Sequence, residues 1–189
     1  MRIMSETGNK TNLKEWRALL NSGNEDVLLD TLKRLRQEGS KELIRDIAEV
    51  IDKRPGRLVE ESVFSFFNDL KQQDCVEPFM EFLANKKDKY AMPELVSACW
   101  QNGLDYSHYI RYFTDLVLTQ SYEISIEAFT VVEQNIDHVS VTDRNQLCFH
   151  IESEMDNLSD DKLALVNELL SVVRTVSGPF SLDLSPDEY

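Results

Sequence analysis

Apolar residues recur three and four positions apart along most of the chain, the spacing of helices that bury one face. Leu13, Trp16 and Leu20 form the first stripe, and Val27, Leu28, Leu32 and Leu35 the second. Next come Leu43, Ile44, Ile47, Val50 and Ile51, then Val63, Phe66, Phe67 and Leu70, then Val76, Phe79, Met80 and Leu83. The series continues through Leu95, Val96, Cys99 and Trp100, then Tyr106, Ile110, Phe113 and Val117, then Ala128, Val131 and Val132. Leu147, Ile151 and Met155 precede a last stripe of Leu163, Val166, Leu169, Leu170 and Val173. Punctuation falls between the stripes. Gly39 followed by Ser40 predicts a helix stop and a new N-cap. Pro55-Gly56, Asn102-Gly103 and Gly178-Pro179 predict further stops. Asp74 with Glu77 has the spacing of a capping box with Asp in the cap position. Pro93 suits a first helical turn, and Ser159-Asp160-Asp161 opens a helix with carboxylates at its positive end. Strand-like alternation is limited to Val139-Ser140-Val141. The pattern predicts an all-α chain of about nine or ten helices.

The helices also repeat. Short turns marked by Gly39, Asp74, Asp105 and Asp137 are separated by 35, 31 and 32 residues. Ahead of the last three turns, the segments Val63–Asn68, Val96–Gln101 and Ala128–Glu133 each carry apolar residues at the first, fourth and fifth places. A period in this range means paired helices that bury their faces by stacking on neighbouring pairs. The signatures of tetratricopeptide and ankyrin units are missing. Asp105 followed by Ile110-Arg111, and Ile44-Arg45 after the turn at Gly39, resemble the turn and second-helix opening of HEAT or armadillo-type repeats. Gly39 departs at the Asp position, Phe79-Met80 lack the basic residue, and Thr142-Asp143 depart again. The resemblance covers residues 25–157. It implies an α-α superhelix, a solenoid of stacked antiparallel helix pairs whose second helices line the inner surface. It implies no particular chemistry. An irregular helical bundle is the alternative. On the repeat reading, one domain spans 1–179, with a capping helix at 11–22, helix pairs over 25–157 and a capping helix at 159–177. The acidic tail 180–189 is expected to be mobile.

Charge narrows the partners. The 189 residues hold 20 Lys+Arg and 34 Asp+Glu, a net of −14. Residues 1–60 carry 12 basic and 11 acidic side chains, while residues 61–189 carry 8 and 23. An acidic surface attracts basic partners and disfavours phosphate backbones and anionic membranes. No apolar run follows Arg2, no stretch is long enough to span a bilayer, and Cys75, Cys99 and Cys148 are widely spaced with no CxxC. These features lead to the expectation of a cytoplasmic protein that binds neither membrane nor nucleic acid.

No phosphate loop, nucleophile elbow or HExxH motif is present, and no cofactor or metal ligand set is expected. His150 and Glu154 have the spacing of an i,i+4 contact. Cys148 and His150, two apart on a helix, point in different directions and make no catalytic dyad. With catalysis unsupported, the leading expectation is a non-catalytic protein-interaction module or scaffold. It would hold a basic or amphipathic peptide or partner protein on the second helices, through Glu77, Glu81, His108, Arg111, Tyr112, Asp115, Asp143, His150 and Glu154. Tyr112 is favoured because Tyr is enriched among binding hot spots. Two other readings remain. One is an enzyme of the HEAT-like DNA glycosylase type, opposed by the acidity. The other is a structural subunit of an assembly.

Overall fold

The computed structural model describes residues 6–38 and 41–175. Among these residues all regular structure is helical, with ten α-helices and five single 3-10 turns and no strand. The stop at Gly39, the cap at Ser40, the stop at Gly178-Pro179 and the tail 180–189 lie outside the described residues. The chain divides into two compact units, Met1–Tyr106 and Ser107–Tyr189.

The first unit contains α1 (Glu6–Leu20), α2 (Glu25–Glu38), α3 (Ile44–Asp52), α4 (Arg57–Asn68), α5 (Val76–Asn85) and α6 (Met92–Gln101). The capping helix expected at 11–22 thus begins five residues earlier, at Glu6, in a segment without the apolar period. Helix α2 packs on α4 and α4 on α6, while α1 packs on α3 and α3 on α5. The inward stripes are those of the sequence: Leu32, Ile47, Val63, Phe67 and Phe79 are fully buried. The Phe67 and Phe79 rings stack at 4.3 Å with 9° between planes, and Phe66 meets Phe67 edge-on at 5.5 Å. Asn102, expected as a helix end, is also a buried bridge. Its amide donates to the Phe67 carbonyl at 3.3 Å and to the Tyr106 hydroxyl at 2.9 Å, and its Oδ1 accepts from Leu104 N–H at 3.0 Å.

Polar bonds in this unit repeatedly join residues 32 to 35 apart. Lys41 meets Asp74 at 2.9 Å, and Lys53 Nζ meets Asn21 Oδ1 at 2.7 Å. Gln73 donates to the Asp105 carbonyl at 2.6 Å and accepts from the Asp105 amide at 2.9 Å. Arg36–Asp69 and Lys86–Asp52 have the same separation. Where both partners are exposed, as in Lys41–Asp74 and Arg36–Asp69, such pairs contribute little energy each, and their value is in fixing which positions meet.

Several local expectations change. The Asp74–Glu77 capping box does not form, because Lys41 holds the Asp74 carboxylate and α5 begins after a 3-10 turn. Helix α3 stops before Pro55, with Arg54 in the left-handed region at φ 52. The Arg54 guanidinium lies 4.5 Å from the centre of the Tyr90 ring and 3.4 Å from Asp88. Gly56 has an ordinary φ of −63, and its N–H donates to Glu25 Oε1 at 2.8 Å. A Cβ there would meet the end of the Glu25 side chain, which would have to swing aside and give up this bond. The turn Lys86–Lys89 is exposed at Lys87, Asp88 and Lys89, but the Lys86 side chain is 1% exposed between Asp52 and Asp88. Burial lowers the Lys86 pKa, yet its bonds to the two carboxylates outweigh burial and the net shift is upward.

The second unit contains α7 (Ile110–Thr119), α8 (Tyr122–Asn135), α9 (Val141–Glu154) and α10 (Asp160–Thr175). Helix α7 packs on α8 and α9, and α10 on α8 and α9. Only Gln120 and Ser121 separate α7 from α8. Buried Ser125 secures that tight turn, its hydroxyl 2.9 Å from the Ser121 carbonyl and 3.1 Å from that of Val117. Among the described residues, no helix is long and apolar enough to cross a membrane.

All three cysteines are free. Burial is the main force raising the Cys75 thiol to about 11, and it also raises Cys99 and Cys148. A thiol ionises near 8.5 when unfolded, so Cys75 favours folding below that pH and loses its contribution as pH rises toward 11. Urea midpoints measured at pH 8 and pH 10.5 should therefore fall more for the native sequence than for Cys75→Ala. Equal falls would show that Cys75 does not contribute.

Candidate functional site

The nine residues expected to bind a partner divide between the units. Glu77 and Glu81 are exposed on α5 of the first unit. The other seven belong to the second unit, on α7, α9 and the 3-10 turn Ser107–Tyr109 that leads into α7.

Helices α7 and α9 bring several of the seven together because they pack side by side. A groove of about 470 Å³ runs between them, lined on one side by His108 and Arg111 and on the other by His138, Ser140, Asp143 and Gln146. Ile110, Val139 and Leu147 supply its apolar floor. Ser140 caps α9: its Oγ accepts from the Asp143 N–H at 3.1 Å, and its O–H donates to Asp143 Oδ2 at 2.7 Å. This is a local capping pair that fixes the start of α9 and holds the Asp143 carboxylate at the groove edge.

Further along the two helices, Asp115 links both sides. Arg111 Nε lies 3.3 Å from Asp115 Oδ1, one helical turn away, and His150 Nε2 lies 2.7 Å from the same oxygen. The carboxylate is an acceptor, so Nε2 carries the proton and the His150 ring is held in one orientation. The expected His150–Glu154 contact gives way to this longer-range one, 35 residues back in sequence. Among the described residues no hydroxyl or thiol hydrogen-bonds to the other ring nitrogen. A carboxylate–imidazole pair activates a nucleophile only when that nucleophile is within reach. Tyr112 is half-buried with its ring edge-on to Phe113 at 5.4 Å, and Glu154 is exposed at the end of α9, outside the groove lining. Among the described residues no three His, Cys, Asp or Glu side chains converge in a way that could hold a metal ion.

No family model matches the chain. No curated protein and no solved structure matches it either.

The second unit is short of free positive charge. Residues 107–175 hold four Lys+Arg against twelve Asp+Glu, a net of −8. Arg111 pairs with Asp115, and Arg174 pairs with Glu152. Lys162 donates to the Val117 carbonyl at 2.7 Å, and burial lowers its pKa. Arg144 is buried.

The residue that sequence reasoning missed is Phe149, whose ring is 76% exposed on α9. It follows Gln146 of the groove by one turn and so lies on the adjoining flank. A signal was present. Phe149 is two positions from both Leu147 and Ile151, which are buried, and residues two apart on a helix face different ways. His138 and Ser140 were missed because they precede α9 in a turn that carries no helical period.

Proposed function

We propose that the protein is a non-catalytic interaction module that holds a basic or amphipathic segment of a partner protein on the α7–α9 face. The observation that carries this reading is Phe149, a large exposed aromatic beside a groove with polar walls and an apolar floor. An aromatic anchor next to shaped polar contacts is the usual composition of a binding hot spot. The net of −8 over residues 107–175 favours a basic partner. The four engaged or buried cations argue against the HEAT-like glycosylase reading, which needs a cationic face for phosphates.

The HEAT-like solenoid belongs to the same proposal. It is supported by the packing of alternate helices on one another and by polar bonds between residues 32 to 35 apart in the first unit. Three free thiols support a reducing, cytoplasmic setting.

Site-specific photo-crosslinking tests the binding face. A benzoylphenylalanine at position 149 should capture a discrete partner in native extract, whereas the same group at Leu58, 65% exposed in the first unit, should not. Phe149→Ala should then weaken the captured partner by about tenfold or more. Identical capture at both positions, or no capture at 149, would sink the proposal.

A further inference from the structure

The first unit carries a second cleft, of different character. It occupies about 610 Å³ between the ends of α2 and α4 and the turn before α5. Its floor is apolar: Ile44, Phe66 and Leu70 line it and are all buried. Its mouth carries Lys33, Arg36 and Lys71. The only carboxylate among its described lining residues, Asp69, is already bonded to Arg36.

Arg36 has a structural reason for its place, since a cation in the last turn of α2 offsets the negative end of the helix dipole. Lys71 lies beyond the end of α4. Neither Lys33 nor Lys71 has a hydrogen-bond or ion-pair partner among the described residues, and both line the cleft mouth. Two lysines without a partner among the described residues thus share the lining of this cleft with buried apolar side chains, in a chain of net charge −14. The volume is in the range of small-molecule sites, roughly 300–1,000 Å³.

We propose that this cleft binds a small organic anion with an apolar body, a medium-chain carboxylate in chemical class. Its head group would lie between Lys33 and Lys71 and its chain against Phe66, Leu70 and Ile44. The site is in the first unit and does not depend on the α7–α9 reading.

Calorimetric titration of the full chain with decanoate, kept below its aggregating concentration, is the test. The expected result is saturable one-to-one binding that weakens at least tenfold in Lys33→Glu, Lys71→Glu. Decanol, with the same chain and no charge, should bind at least tenfold more weakly than decanoate. Both lysines are exposed, and Lys33→Gln, Lys71→Gln gives a milder pair that should weaken binding in the same direction. Unsaturable heats, equal binding of decanol, or unchanged affinity in both lysine pairs would overturn the proposal.

Discussion

Replacing Phe67 by Ala is expected to destabilise the first unit by about 3–5 kcal/mol. The ring is fully buried, stacks on Phe79 and meets Phe66 edge-on, so truncation removes a large apolar area and leaves a void among rigid neighbours. The same residue's carbonyl receives the Asn102 amide, and any backbone shift that fills the void would strain that bond. Both tryptophans, Trp16 and Trp100, lie in the first unit, so their fluorescence reports on it directly. With a urea slope of about 2 kcal/mol/M, a loss of about 4 kcal/mol lowers the midpoint by about 2 M. Since a domain is stable by only about 5–15 kcal/mol, the variant should stand near its threshold at 37 °C. A loss below about 1 kcal/mol would mean that the stacked rings are not central to the unit's stability.

The second large effect has the opposite sign. Arg144 is 6% exposed on α9, and its Nε and Nη1 have no hydrogen-bond partner among the described residues. A buried guanidinium with unmet donors loses its hydration without a compensating contact. Arg144→Met keeps most of the aliphatic stem and removes the charge, so it is expected to stabilise the second unit by about 1–4 kcal/mol. Thermal unfolding followed by far-ultraviolet circular dichroism should show a rise of about 4–8 °C per kcal/mol for a unit of this size. A fall in stability of about 1 kcal/mol or more would show that Arg144 makes a contact that matters in solution.

The helices and the core were legible because burial and periodicity are the same physics. Val63, Phe66 and Phe67 lie on one stripe in the sequence and on one buried face in the fold. The end of α6 was legible too, since Gly103 adopts φ 69 just after Asn102, as a left-handed stop requires. Long-range pairing was not legible. Asp74 has the local spacing of a cap, but Lys41, 33 residues earlier, takes its carboxylate. Lys86 stands in a run of four charged residues, and nothing local in that run shows that Asp52, 34 residues earlier, holds its ammonium. Glu77 and Glu81 share the helix period with the α7–α9 residues, but they fall in the other unit. Arg144 could have been found: it sits three residues before Leu147 and seven before Ile151, on the buried stripe itself. A charge at such a position conflicts with the surrounding apolar pattern.

The acidic excess of the second unit has a consequence for the solution around it. With internal positive charge either paired or buried, the unit cannot neutralise its remaining carboxylates from its own side chains. The balancing charge must come from dissolved sodium, potassium or magnesium gathered in a diffuse cloud about one Debye length deep, about 8 Å at physiological ionic strength. That cloud is part of the folded state's electrostatics. Any basic molecule approaching this unit would first displace small ions, and part of its driving force would be the entropy of those ions returning to bulk water.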